Sequence, residues 1–92
     1  MDRDMNKPGI YAIRCIADGK GTTYVGQASK RIKKRFNDHK LELRMNRHYN
    51  QWLQRAWNLY GEPGFEWVVL ENVDSSDDLT IREQYWLDQI RV

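Results

Sequence analysis

The sequence predicts an α+β domain: a small three-stranded antiparallel sheet flanked by helices, in the order ββααβα. Three observations predict it. Two short β-rich runs, 9–16 and 22–25, are joined by the turn formers Asp18, Gly19, Lys20 and Gly21. Two stretches with helical spacing of apolar residues follow them. A third β-rich run, 65–70, then precedes a last helical stretch.

The elements follow in order. Residues 1–7 are polar and read as loose. The first strand carries Ile10, Tyr11, Ile13 and Ile16, and the second Thr22 to Val25. Ser29 is placed to cap a helix running to about Leu43. A second helix spans Asn50 to Tyr60, with Leu53, Ala56, Trp57 and Tyr60 on one face and Gly61 ending it. Phe65 to Leu70 is the third strand. Asp74, Ser75 and Ser76 cap a last helix from about Asp77 to Ile90, and Ser75 and Asp78 have capping-box spacing.

Ninety-two residues make one domain, residues 1–92. A chain this short buries about 60–65% of its unfolded surface, so its core must be rich in aromatics. Four Trp, five Tyr and two Phe supply it. The single cysteine, Cys15, excludes an internal disulfide and a cysteine zinc site, and its apolar surroundings place it in the core. No signal peptide and no run near the roughly 20 apolar residues of a membrane span is present. The expected compartment is cytoplasmic, with no membrane partner.

The net charge of +2 hides an asymmetry. Between Gln27 and Arg55 stand nine cations: Lys30, Arg31, Lys33, Lys34, Arg35, Lys40, Arg44, Arg47 and Arg55. Only Asp38 and Glu42 oppose them, so the segment carries +7 and the remainder −5. Such a block fits a polyanionic partner; a solvated basic helix would look the same on charge alone.

Polar residues on apolar faces are more informative. At about 100° per residue, Leu79, Trp86 and Ile90 define one direction of the last helix. Glu83 lies about 40° from Leu79, inside that stripe. An ionised carboxylate there needs a partner, either an internal cation such as Arg35 or Arg55, or a metal ion. In the basic helix, Ile32, Phe36 and Leu43 mark the buried side, and His39 lies within about 20° of Ile32. Arg35 precedes it by one turn on the same edge. A lone inward histidine is ordinarily a satisfied core residue. An inward Arg, His and Glu together fit a phosphate-and-metal site. Tyr11 and Tyr24 sit on the two strands of the hairpin, with register left open by the turn. Trp52 lies off the second helix's stripe, open to core packing or to stacking on a base.

These residues spell a pattern. Gly9-Ile10-Tyr11, then Tyr24-Val25-Gly26 on the next strand, resembles the signature of the GIY-YIG nuclease family. Arg35 and His39 on the next helix and Glu83 on the last follow in that family's order. The segments Lys34-Arg35-Phe36 to His39, Leu53-Gln54-Arg55 and Arg82-Glu83-Gln84-Tyr85-Trp86 resemble phage intron-encoded homing endonucleases. The likeness spans Pro8 to Ile90. It implies a three-stranded antiparallel sheet flanked by helices and a metal-dependent DNA endonuclease. Tyr11, Tyr24, Arg35, His39 and Glu83 are then its catalytic residues. His48 matches a further histidine of the phage enzymes. The family's Asn in a short segment after the last helix has no match here.

On this resemblance Glu83 holds one divalent cation, Mg²⁺ or Mn²⁺, which supports the pentacovalent phosphate and the leaving oxygen. Arg35 holds the scissile phosphate. A tyrosine, Tyr11 by preference, is the general base, with its pKa lowered by cations and its proton passed to His39. Duplex DNA is held through phosphates by Lys30, Arg31, Lys33, Lys34, Lys40, Arg44, Arg47, His48 and Arg55. The competing reading is a nucleic-acid-binding module with this fold and no turnover.

Overall fold

A computed structural model describes residues 3–74 and 76–90. Strands β1 (Gly9–Cys15), β2 (Thr23–Ala28) and β3 (Phe65–Asn72) form one sheet in the order β2-β1-β3, with both pairings antiparallel. Helices α1 (Ile32–Arg44) and α2 (Gln51–Tyr60) lie between β2 and β3 in sequence, and α3 (Ser76–Ile90) follows. The ββααβα order is the expected one.

Alternation along the central strand creates two cores. Tyr11, Ile13 and Cys15 point to one face and pack with Ile32, Phe36, Leu43, Leu53 and Trp57 of α1 and α2. Ile10 points to the other and packs with Val25, Val73 and Leu79, flanked by Trp86 and Leu87 of α3. The sheet is thus sandwiched between α1/α2 and α3. Trp52 packs against the first core.

Several boundaries shift for identifiable reasons. β2 and β3 run past Val25 and Leu70, because pairing with β1 through Gly9↔Ala28 and Gly9↔Asn72 extends both. Ile16 lies beyond β1 and is exposed. The longer β2 displaces the helix start: α1 is capped at Arg31, with no side-chain cap from Ser29. Its first amides are instead taken by main chain, Ile32 N–H donating to Lys7 O (3.1 Å) and Lys33 N–H to Met5 O (2.7 Å). The segment from Asp4 to Pro8 is therefore tied down rather than loose, while residues 1 and 2 lie outside the described residues. Asn72 fastens it from β3, accepting from Asp4 N–H (2.7 Å) and donating to Asp4 O (2.8 Å) and Pro8 O (3.1 Å).

At α2 the side chain of Asn50 accepts from Leu53 N–H (3.0 Å), a standard N-cap. Gly61, at φ 76°, ends the helix as expected. Ser75, read as part of the last helix's cap, lies outside the described residues. Among the described residues, no helix is long and apolar enough to cross a membrane.

Candidate active site

The two glycine-containing triplets have steric causes. A Cβ on Gly9 would collide with the main-chain carbonyl of Glu71 on β3. Gly26 is the register partner of Tyr11. A Cβ there would stand 2.5 Å from Tyr11 Oη and 2.6 Å from its Cζ. The bare glycine lets the Tyr11 ring lie across β2 with its hydroxyl turned toward α1. Phe36 holds that ring edge-on, at 5.3 Å between centroids and 86° between planes.

Tyr11 Oη lies 2.6 Å from His39 Nε2, and both side chains are buried. His39 Nδ1 lies 2.6 Å from His48 Nε2. The two imidazoles have centroids 4.9 Å apart and planes 24° apart. That separation is the full span of two ring radii plus one hydrogen bond. The nitrogens therefore face each other in line, and the rings do not overlap. Asn50 N–H donates to the far nitrogen, His48 Nδ1, at 3.1 Å. Buried Gln54 fixes the loop: it accepts from His48 N–H (3.0 Å) and donates to Leu43 O (3.0 Å).

Arg35 sits on the rim, 3.5 Å from His39 Nε2, where its charge acts on the Tyr11 phenol. Its carboxylate partner is Asp38, at 3.5 Å. Tyr24 pairs with Ile13 in register and brings its ring edge-on to His39, 5.3 Å away. Its hydroxyl is hydrogen-bonded to that of Tyr49, which is 67% exposed.

Glu83 comes from α3, on the other side of the sheet. Its Oε1 accepts from Gln27 Nε2 of β2 at 2.7 Å, and its charge is felt at the Tyr11 phenol. The internal ion pair with Arg35 or Arg55 does not form: Arg35 turns to Asp38 and Arg55 to Gln51. Among the described residues this half-buried carboxylate has no ion-pair partner.

Burial sets the protonation states. It pushes Tyr11 up to about 12 against the opposing pull of Arg35. Burial, then the Tyr49 hydrogen bond and neighbouring phenols, pushes Tyr24 higher still. The expectation that cationic neighbours lower a tyrosine is thus corrected for the protein by itself, because desolvation of a phenolate outweighs one guanidinium. Burial, then Arg35 and His48, holds His39 down at about 3. Burial also lowers His48. With the phenol raised and the imidazole lowered, both by burial, passage of that proton to His39 is disfavoured in the protein by itself.

Among the described residues, two donor sets are candidates for a cation. His39, Glu42 and His48 bring ligand atoms within 4.8 Å of one another. Two imidazole nitrogens on one ion at about 2.0–2.1 Å each would stand more than about 3 Å apart. Here they are 2.6 Å apart and aimed at each other, a distance that holds a proton. Glu83 fits better: among the described residues it offers an oxygen donor without an ion-pair partner, bonded to Gln27 alone, and suits a hard ion that keeps waters.

The remaining cations divide. Lys30, Arg31, Lys33 and Lys34 are exposed and line a recess of about 360 Å³ with Asn6 and Asn37. An adjoining recess continues through Lys30, Arg31 and Lys34 to Arg35. Lys40 lies over the Trp67 ring at 4.9 Å, and Arg44 is paired with Glu62 at 2.8 Å. Arg47 and Arg55 are exposed. His48 stands apart from all of these, buried behind His39. Sequence reasoning missed Gln54, Gln27, Tyr49 and the role of Asn50. Only Gln54 left a signal, a polar residue about 60° from Trp57 on the buried side of α2.

The family model described as the GIY-YIG catalytic domain matches residues 7–91. Among solved structures, the catalytic domain of the homing endonuclease I-TevI superposes with a TM-score of 0.81 at 30% identity, over 92% of this chain and 89% of that one. A glutamate-to-alanine mutant of the catalytic domain of intron endonuclease I-TevI gives 0.80 at 30% identity, over 92% and 84%. No curated protein matches the chain. The match over nearly the whole length shows that the chain belongs to the GIY-YIG catalytic domain family and is a DNA endonuclease domain.

Proposed function

We propose that this domain hydrolyses phosphodiester bonds of duplex DNA with Tyr11 as general base, Arg35 on the scissile phosphate and one divalent cation, Mg²⁺ or Mn²⁺, on Glu83. The observation that carries the reading is the 2.6 Å hydrogen bond between Tyr11 Oη and buried His39, at a phenol on which the charges of Arg35 and of Glu83, from the opposite layer, both act. When bound, the cation supplies charge for the pentacovalent phosphate and the leaving 3′ oxygen.

The chain's own residues do the rest. Arg35 orients the phosphate through its planar fork. Its neighbours Tyr11, Tyr24 and Asp38 outweigh burial and keep it charged. The phenol is pushed up to about 12 in the protein alone, with Arg35 opposing that rise, and a cation held by Glu83 would favour the phenolate further. The phenolate takes a proton from the attacking water, whose oxygen bonds to phosphorus as the 3′ oxygen leaves and is protonated from solvent. Tyr24, held by Tyr49, orients the water. Lys30, Arg31, Lys33 and Lys34 continue from Arg35 along the surface and take the flanking phosphates. Lys40, Arg44, Arg47 and Arg55 lie further from this track and add long-range attraction.

The test is nicking of supercoiled plasmid with Mg²⁺, with and without EDTA, beside Glu83→Ala. Cleavage should require the metal and vanish in the variant while DNA binding persists. Binding without cleavage by the wild type at any divalent ion would favour a non-catalytic module. Cleavage that survives both EDTA and Glu83→Ala would exclude the single-metal scheme.

A further inference from the structure

We infer that His48 is a positioning residue that locks His39 into the tautomer carrying its proton on Nε2, so that His39 donates a hydrogen bond to Tyr11 and never takes its proton. The inference rests on the reading of Tyr11 as the base and adds to it the direction of every hydrogen bond behind that base.

At a buried imidazole pair, proton positions follow from the partners. His48 is fixed at both ends. The main-chain N–H of Asn50 can only donate, so His48 Nδ1 is a bare acceptor. The Glu42 carboxylate stands 3.9 Å from His48 Nε2 and favours a proton there. His48 therefore carries its proton on Nε2 and donates to His39 Nδ1 in line at 2.6 Å. A neutral His39 whose Nδ1 accepts has its proton on Nε2, and that N–H points at Tyr11 Oη, 2.6 Å away. The chain of donors runs outward from the main chain: Asn50, His48, His39, Tyr11.

One contact pulls the other way. Arg35 Nη2, also a donor, lies 3.5 Å from His39 Nε2. That is the limit of hydrogen-bond length, and the guanidinium also has the Asp38 carboxylate, a charged acceptor, at the same 3.5 Å. The Asn50 amide is shorter and rigid, placed by the helix cap it forms. With His39 donating to the phenol oxygen and the Arg35 charge acting on it, the form that gains most is the phenolate, since charged acceptors bind donors about twice as strongly as neutral ones. The phenol's proton then leaves to solvent, not to an imidazole, and no imidazolium forms.

Nitrogen-15 NMR of the histidine-labelled protein near neutral pH reads the tautomers without any cleavage, so its outcome is separate from that of the nuclease reading. Both histidines should be neutral with Nε2 protonated and Nδ1 bare; a proton on His39 Nδ1 overturns the inference. Single-turnover cleavage with saturating Mg²⁺ tests the consequence. His48→Leu should slow cleavage by about 10²-fold, with the pH–rate profile displaced to higher pH and KM for DNA little changed. His48→Gln, whose amide N–H can replace the Nε2 donor, should recover the rate to within about tenfold of wild type. Equal rates for His48→Leu and wild type, or no rescue by a folded His48→Gln, would also overturn it. Should His48→Leu fail to fold, the tautomer spectrum and His48→Gln still decide.

Discussion

Gly26 lies directly across the hairpin from Tyr11, and a methyl group on it would stand 2.5 Å from the tyrosine oxygen. The glycine of the second triplet is thus a clearance for the tyrosine of the first. Gly26→Ala should fold, at a cost on the order of 1–3 kcal/mol for overpacking. It should lose about 10²-fold or more in cleavage, because a displacement near 1 Å at a reacting group costs that much. Urea denaturation and single-turnover cleavage check both halves; a fully active Gly26→Ala would show that Tyr11 Oη needs no fixed position.

The two tyrosines should differ. Tyr11→Phe keeps the ring against Phe36 and removes only the oxygen held by His39. Cleavage should fall by about 10²-fold or more. Tyr24→Phe removes a hydroxyl whose partner is the exposed Tyr49, a bond that water replaces, and should cost less. An inactive Tyr24→Phe beside an active Tyr11→Phe would exchange the two roles.

Arg35→Lys keeps the charge and loses the fork. Binding of a non-cleavable duplex should change by less than about tenfold, while turnover should fall well beyond that. Filter binding and single-turnover rates on the same duplex separate the two. Wild-type turnover in Arg35→Lys would leave Arg35 as a point charge only.

The buried imidazoles make stability depend on acid. An unfolded histidine titrates near 6.5, whereas His39 in the fold is held at about 3. Between those values the unfolded chain holds a proton that the native one lacks, so stability falls as pH falls, by about 1.4 kcal/mol per pH unit from His39. His48 shifts in the same direction. Urea midpoints between about pH 6.5 and 5, above the range where carboxylates titrate, should show this slope in wild type and a shallower one in His39→Gln. A flat wild-type profile would mean that the histidines take up protons in the fold as readily as in the unfolded chain.

Much of this was legible in the residues. The ββααβα order followed from period and turn chemistry, and His39 and Glu83 stood out as polar residues on apolar faces. What was not legible depends on contacts between distant segments. β2 and β3 are longer than their composition suggests because β1 pairs with their ends. Main-chain carbonyls of Met5 and Lys7 cap α1, and any residue could supply them. His48 lies in a loop whose shape is set by Gln54 and Asn50, so its link to His39 has no trace in sequence spacing. The family resemblance implied cations around the tyrosine base, but it could not weigh them against burial.

The two faces of the sheet divide the proposed machinery between them. Tyr11, Arg35 and His39 belong to the layer closed by α1 and α2, whereas Glu83 arrives with α3 and the second core. Neither layer holds a full set of catalytic groups. A chain with α3 undocked would still present its basic track to DNA, yet it would lack the carboxylate that completes the site. On the proposed mechanism, a half-folded copy grips the genome without cutting it, and the ability to cut reports that folding is finished.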